Sequence, residues 1–359
     1  MGLQKIPYHQ SRVLDRFAFK KKTGGPHSEQ SHGRGRKKLK RFRSSAFKAG
    51  VETLVETELT IKTPEDFSFR RTVRSHGWCT LLPFEFDEGR WQLLRVLDAG
   101  RGQPVTAIIS GSRQAVRVRL TRPVGQSAAS KVVRDVRHML RLDEEMDEFY
   151  RVVAGEPEFA WIAREGAGRL LRSPTVYEDL VKSLCTTNCS WALTEKMVTG
   201  LVRELGRAGR DGRRSFPTPE AMAVAPEKFY RDTVRAGYRA PYLKELAERV
   251  AAGELDVESW LTSRLSTDEL KREMKRVKGV GDYAAENLLK LVGRYDCLAL
   301  DSWVRAKFAR TRSNVHKGKS SGDDAKIARY YSRFKAWRGL ALWCDMTRDW
   351  LDEEQPHAR

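Results

Sequence analysis

Long apolar runs are missing from this 359-residue sequence. Nowhere do eighteen apolar residues follow one another, and the opening residues hold no apolar leader segment. No membrane association is therefore expected, and the reading is a soluble intracellular protein, cytoplasmic or nucleoid-associated. Cysteine is scarce. Cys79, Cys185, Cys189, Cys297 and Cys344 form an odd, scattered set, which argues against a disulfide framework. Cys185 and Cys189 are spaced to share a helix face, but no second pair with metal-ligand spacing accompanies them, so no metal site is expected. Acid is in short supply as well: 47 Asp and Glu face 67 Lys and Arg, for a net charge of +20. Such an excess points to a polyanionic partner, most simply nucleic acid.

The basic charge is unevenly placed. Residues 1–50 hold fourteen Lys or Arg, among them Lys20 to Lys22 and Arg34 to Lys38, against Asp15 and Glu29, so the other 309 residues carry only +8. With Gly and Ser between the charges and no apolar period, 1–50 reads as a basic, disordered tail that would bind DNA without specificity or keep the protein soluble. From 51 to 126 the pattern turns to period two. Val116, Val118 and Leu120 alternate with Arg117 and Arg119, and Cys79 to Phe86, Trp91 to Leu97 and Val105 to Ser110 are similar runs bounded by turns. An antiparallel sheet of five or six strands is predicted there. Beyond Ser127 the spacing is helical, from Val133, Val136 and Leu140 onward, and the helical domain is expected over 127–352. A polar break at Thr186 to Ser190 divides one apolar stretch into two helices and should present its residues at a cleft. The fold class is thus α+β, a small antiparallel N-terminal sheet followed by an all-helical domain.

The densest signal lies between Ser266 and Arg305. Ser266 and Glu269 form a capping box, and Leu270, Met274 and Val277 share one face of the helix it starts. Lys278-Gly279-Val280-Gly281 then interrupts the pattern with two glycines that permit positive φ and close backbone approach. Asp282 is positioned to cap a second helix, with Ala285, Leu288, Leu289 and Val292 at helical spacing and Gly293 as its stop. Residues 268–293 therefore read as helix, glycine turn, helix. Outward amides beside the positive end of a helix make such a turn a ready phosphate site, although an ordinary helical hairpin has the same pattern. Asp301 follows about twenty residues after Gly281, behind the apolar run Tyr295 to Leu300 and directly before the helical pattern SWVRAKFAR. It suits an N-cap, and a helix N-terminus also holds a carboxylate in a fixed direction in its ionised form.

KGVGDYAAENLL followed at this spacing by LALDSWVR resembles the helix-hairpin-helix DNA glycosylase superfamily. YEDLVKSLCTTNCSWALTEKM, the FPTPEAMA and GYRAPYL stretches and RFKAWRGLALW resemble its 3-methyladenine and 8-oxoguanine branch, in which a small sheet precedes the helical domain. The resemblance covers about 65 to 350 and implies a base-excision enzyme that acts on double-stranded DNA containing damaged bases, as a monomer, flipping a damaged nucleotide and hydrolysing its N-glycosidic bond. Asp301 would be the catalytic aspartate. Lys278, Gly279, Val280 and Gly281 would bind a DNA phosphate, and carbonyls of that turn would hold a monovalent cation. Asn188 would fill the gap left by the flipped base, and Tyr283, Trp191 and Trp303 would line the base pocket.

Two departures refine this expectation. Strand-nicking relatives carry a lysine where this chain has Tyr283, and a phenol cannot form the imine, so a glycosylase without lyase activity is implied. Iron-sulfur relatives have four cysteines after the aspartate; here only Cys344 follows Asp301, so no such cluster is expected. The aromatic face of Tyr283 and the apolar stretch Leu340 to Trp343 favour an alkylated purine over an oxidised guanine. The alternatives are an 8-oxoguanine-type glycosylase and a non-catalytic damaged-DNA-binding protein.

Overall fold

A computed structural model describes residues 57–351 apart from 101, 113 and 313–322. The basic tail expected over 1–50 lies outside the described residues. The described residues belong to one compact unit. Its chain begins with β1 (Thr57–Lys62), α1 (Phe69–Val73), β2 (Phe84–Asp87), β3 (Gln92–Leu97), β4 (Val105–Gly111) and β5 (Ala115–Leu120). The five strands form one sheet in the order β1-β5-β4-β3-β2, antiparallel throughout. β5 has the expected alternation: Val116, Val118 and Leu120 are buried while Arg117 and Arg119 are exposed. The run Cys79 to Phe86 is a strand only at its end. Gly77–Thr80 is a short 3-10 turn, and Pro83, which has no N–H to give a ladder, stands just before β2.

The helical part follows as α2 (Gln126–Met139), α3 (Asp147–Ala154), α4 (Ala160–Arg164), α5 (Val176–Thr186), α6 (Trp191–Leu205), α7 (Pro219–Ala223), α8 (Glu227–Asp232) and α9 (Ala240–Ala251). The hairpin helices α10 (Thr267–Lys275) and α11 (Asp282–Leu291) come next, then α12 (Ser302–Thr311), α13 (Asp323–Tyr331) and α14 (Arg338–Thr347). Among the described residues no helix is long and apolar enough to cross a membrane. The inner face of the sheet, through Leu93, Ile109, Val116 and Val118, joins the same apolar core as Leu180, Leu184, Leu288 and Leu340.

A buried charge cluster ties sheet to helices. Arg95 of β3 donates twice to Glu178 of α5, at 2.8 and 2.6 Å, and Lys182 one turn on lies 2.7 Å from the same carboxylate. Burial works to raise the Glu178 pKa, but Arg95 and Lys182 outweigh it and hold it down at about 2. Removing one member of such a group leaves a charge uncompensated in the core, at a cost of about 3–5 kcal/mol. The pairing therefore fixes where α5 lies against β3.

Candidate active site

The hairpin forms as its caps dictate. Ser266 Oγ accepts the Glu269 N–H at 3.3 Å while Glu269 Oε2 accepts the Ser266 N–H at 3.0 Å, which closes the capping box. Leu270, Met274 and Val277 are buried in the same apolar core as Ala285, Leu288 and Leu289 of the second helix. The cap of α11 differs from expectation. Gly281 is its N-cap, with no side-chain hydrogen bond, and Asp282 lies in the first turn, where Lys275 and Lys271 hold its carboxylate at 2.9 and 3.1 Å. Two ammonium groups outcompete the backbone for that carboxylate.

Within the turn, Gly279 and Gly281 are exposed and Val280 is buried. Gly279 has φ +87°, and a Cβ there would sit 2.4 Å from Cδ2 of Tyr242, so both its conformation and its packing require glycine. The Val280 N–H is already given to Val277 O at 3.0 Å. Among the described residues, the Gly279 and Gly281 amides have no internal acceptor. Lys278 is 56% exposed at its side chain and lies 3.3 Å from Glu245. The surface of the turn therefore offers two amides and an exposed cation.

Asp301 is delivered by a clamped loop. Ala299, at φ +53°, donates its N–H to Glu286 of α11 at 2.9 Å. Gly339 of α14 donates its N–H to Tyr295 O at 2.7 Å, and a Cβ on Gly339 would lie 1.9 Å from Cys297 O, so α14 can approach the loop this closely only through a glycine. Asp301 is the N-cap of α12, its Oδ1 accepting the Val304 N–H at 2.7 Å. The side chain is half-buried. One carboxylate oxygen is thus fixed by the helix it caps.

Two groups of α11 feel that carboxylate. Tyr283 is 37% exposed, and burial, with the Asp301 charge as the next cause, pushes its phenol up to about 12. Two turns further along the helix, Lys290 is 2% exposed, and burial lowers its pKa to about 8, with Asp301 the strongest charge working against that shift. Lys290 Nζ lies 4.6 Å from the centroid of Trp343.

The remaining expected positions fall in different surroundings. Asn188 is exposed between α5 and α6, at φ +45°, with its amide 3.5 Å from the Tyr238 hydroxyl. Trp191 opens α6 and lies over Gly77, where a Cβ would come within 2.4 Å of its ring, and its Nε1 donates to Thr80 Oγ1 at 3.3 Å. Trp303 packs with Trp343 and Trp350, ring centroids 6.1 and 5.8 Å away. Cys189 Sγ donates to Cys185 O at 3.1 Å. Among the described residues, no group of three His, Cys, Asp or Glu could hold a metal ion. Lys290 was not among the expected site residues. Its signal in the sequence is a lysine inside the apolar run Leu288 to Val292, seven residues from Tyr283 and so on the same helix face.

No family model matches the sequence. It is 23% identical over 286 residues to the probable N-glycosylase/DNA lyase of Methanothermobacter thermautotrophicus, spanning 73% of this chain and 86% of that protein. Among solved structures, the 3-methyladenine DNA-glycosylase of Archaeoglobus fulgidus superposes with a TM-score of 0.63 at 20% identity, over 82% of this chain and 99% of its own. The 8-oxoguanine glycosylase/lyase of Clostridium acetobutylicum gives a TM-score of 0.63 at 18% identity, over 80% and 95%. The order of a small antiparallel sheet followed by a helical domain is shared with them.

Proposed function

We propose, for a chain whose relatives and structural neighbours are helix-hairpin-helix DNA glycosylases, that it is a DNA N-glycosylase of base-excision repair. One observation carries the reading: Asp301 is pinned at the N-terminus of α12, with its charge acting on both Tyr283 and Lys290 of the hairpin's second helix. As the glycosidic bond of a flipped nucleotide breaks, positive charge develops on the sugar, and a carboxylate already oriented stabilises it without reorganisation. The same group can orient the attacking water. Gly279 and Gly281 would give their amides to a phosphate near the lesion, with Lys278 adding charge. The Val280 amide is spent within the turn, so Val280 serves by filling the core beneath it. The Val277 carbonyl accepts one N–H and keeps a second lone pair, so the turn can still offer an oxygen to a monovalent cation. Asn188, exposed beside Tyr238, would fill the space the flipped base leaves.

Tyr283 has no amine, and water is the nucleophile in this reading, so the product is an intact strand with an abasic site. The neighbours' substrates suggest two lesion classes, an alkylated purine, which would stack on Tyr283, and an oxidised guanine. Base release from duplexes carrying alkylated, oxidised and deaminated bases, with and without alkali, tests the proposal. Alkali-dependent cleavage of one class is expected. Cleavage without alkali would refute the hydrolytic mechanism, and binding without any base release would favour a non-catalytic damaged-DNA-binding protein.

A further inference from the structure

Among the described residues, Lys290 is a group near Asp301 whose position neither the fold nor the hydrolytic reaction explains. It is 2% exposed, its Nζ has no hydrogen-bond partner, and among the described residues it reaches no carboxylate at ion-pair distance. Burying a primary amine without a partner is costly, and a well-packed apolar residue at this place in α11 would serve the core better. The amine is nevertheless held. It lies on the Trp343 ring, and the Trp343 indole is itself fixed by donating to Ser75 O at 2.8 Å. The Asp301 carboxylate favours its charged form. Near neutral pH it is therefore chiefly an ammonium with three donors and nothing to give them to.

Its depth says what it could meet. Lys290 lies on the face of α11 that carries Tyr283, two turns from the hairpin end, or roughly 10 Å along the axis. The turn binds phosphate in the reading above, so the amine is set back from the backbone and sugar by about the reach of a base. We infer that Lys290 is the specificity-determining residue of the pocket, donating to a carbonyl oxygen of an extruded base that is neutral, and rejecting alkylated bases that carry a ring positive charge. The inference rests on the glycosylase reading and decides between its two lesion classes. A cationic base brought beside a buried ammonium meets like-charge repulsion in a poorly screened site. An oxidised or deaminated base brings the oxygen the amine lacks, which would leave Tyr283 to supply stacking.

The test compares single-turnover release of 8-oxoguanine and hypoxanthine with that of 7-methylguanine, for wild type and Lys290→Met, which keeps the volume and removes the charge. Wild type should release a carbonyl-bearing neutral base at least tenfold faster than 7-methylguanine. In Lys290→Met that preference should fall at least tenfold, with no loss of melting temperature, since the variant removes an unpartnered charge from the core. Faster release of 7-methylguanine by wild type would overturn the inference, and so would a ratio unchanged in the variant. Borohydride trapping of DNA on Lys290 would overturn it too, by placing the amine at the sugar. If no duplex loses a base, the glycosylase reading fails on its own. The ratio of wild-type affinities for the duplexes then decides on Lys290: at least tenfold tighter binding of the neutral lesions supports it, and equal binding refutes it.

Discussion

Replacing Asp301 by asparagine separates the two roles that one carboxylate holds. As a cap, Asp301 gives one oxygen to the Val304 N–H at 2.7 Å, and asparagine offers an oxygen in the same place. The two residues are nearly equivalent N-caps, so stability should change by no more than about 0.5 kcal/mol, whereas Asp301→Ala should cost about 1 kcal/mol. As a stabiliser of a cationic sugar, the carboxylate has no neutral substitute. A unit charge about 4 Å away is worth about 4 kcal/mol at an effective dielectric near 20. That corresponds to a loss of about 10³-fold in rate for Asp301→Asn. The assay is single-turnover base release with enzyme in excess, alongside thermal melting and fluorescence anisotropy on a lesion duplex. Affinity should stay within a few fold, because an amide keeps the shape of the pocket. Asp301→Asn within tenfold of wild type would refute the catalytic role. So would a loss of activity that merely follows a loss of stability, since a cap alone accounts for that pattern.

Gly279→Ala should lower stability by about 1–3 kcal/mol, because it forces a side chain into the left-handed region and against Tyr242, while Gly281→Ala meets nothing within 4 Å and serves as the control. The same change should weaken binding to undamaged duplex, as phosphate contacts carry no sequence information, and unaltered melting and affinity would sink the assignment. Stability should also fall on the acid side. Burial lowers His76 and His138 to about 3, so their contribution is fully present above about pH 6.5 and is lost as pH falls toward 3. The slope is up to about 1.4 kcal/mol per pH unit for each histidine, and equal denaturation midpoints at pH 7 and pH 5 would contradict it.

What could be read from the sequence, and what could not, divides by the range of the interaction. The capping box at Ser266, the break at Thr186 to Ser190 between α5 and α6, the alternation of β5 and the cap at Asp301 are set by residues a few positions apart, and each is present. What the sequence did not show has the opposite origin. Asp282 has the right residue type and place for a cap, but Lys271 and Lys275 across the hairpin take its carboxylate. Val280 has an amide in the glycine turn, but a chain reversal no wider than that turn returns it to Val277. Trp191 and Trp303 are aromatic and near the right segments, yet what they touch, Gly77 in one case and Trp350 in the other, lies far along the chain.

Lys290 is the fullest instance of the same rule. Helical spacing puts it on one face with Tyr283, and from α11 alone that face reads as the solvated side of an amphipathic helix. It becomes an interior only because the loop at 295–300 is clamped to Glu286 at Ala299 and to α14 at Gly339, which brings Trp343 over the amine. None of those three contacts has a local signature: one is a backbone amide, one a glycine chosen for closeness, and one a tryptophan more than fifty residues away. The carboxylate that would do the chemistry could be read because it also caps a helix. The amine that would choose the base could not, because its surroundings exist only once α11, the loop and α14 have come together.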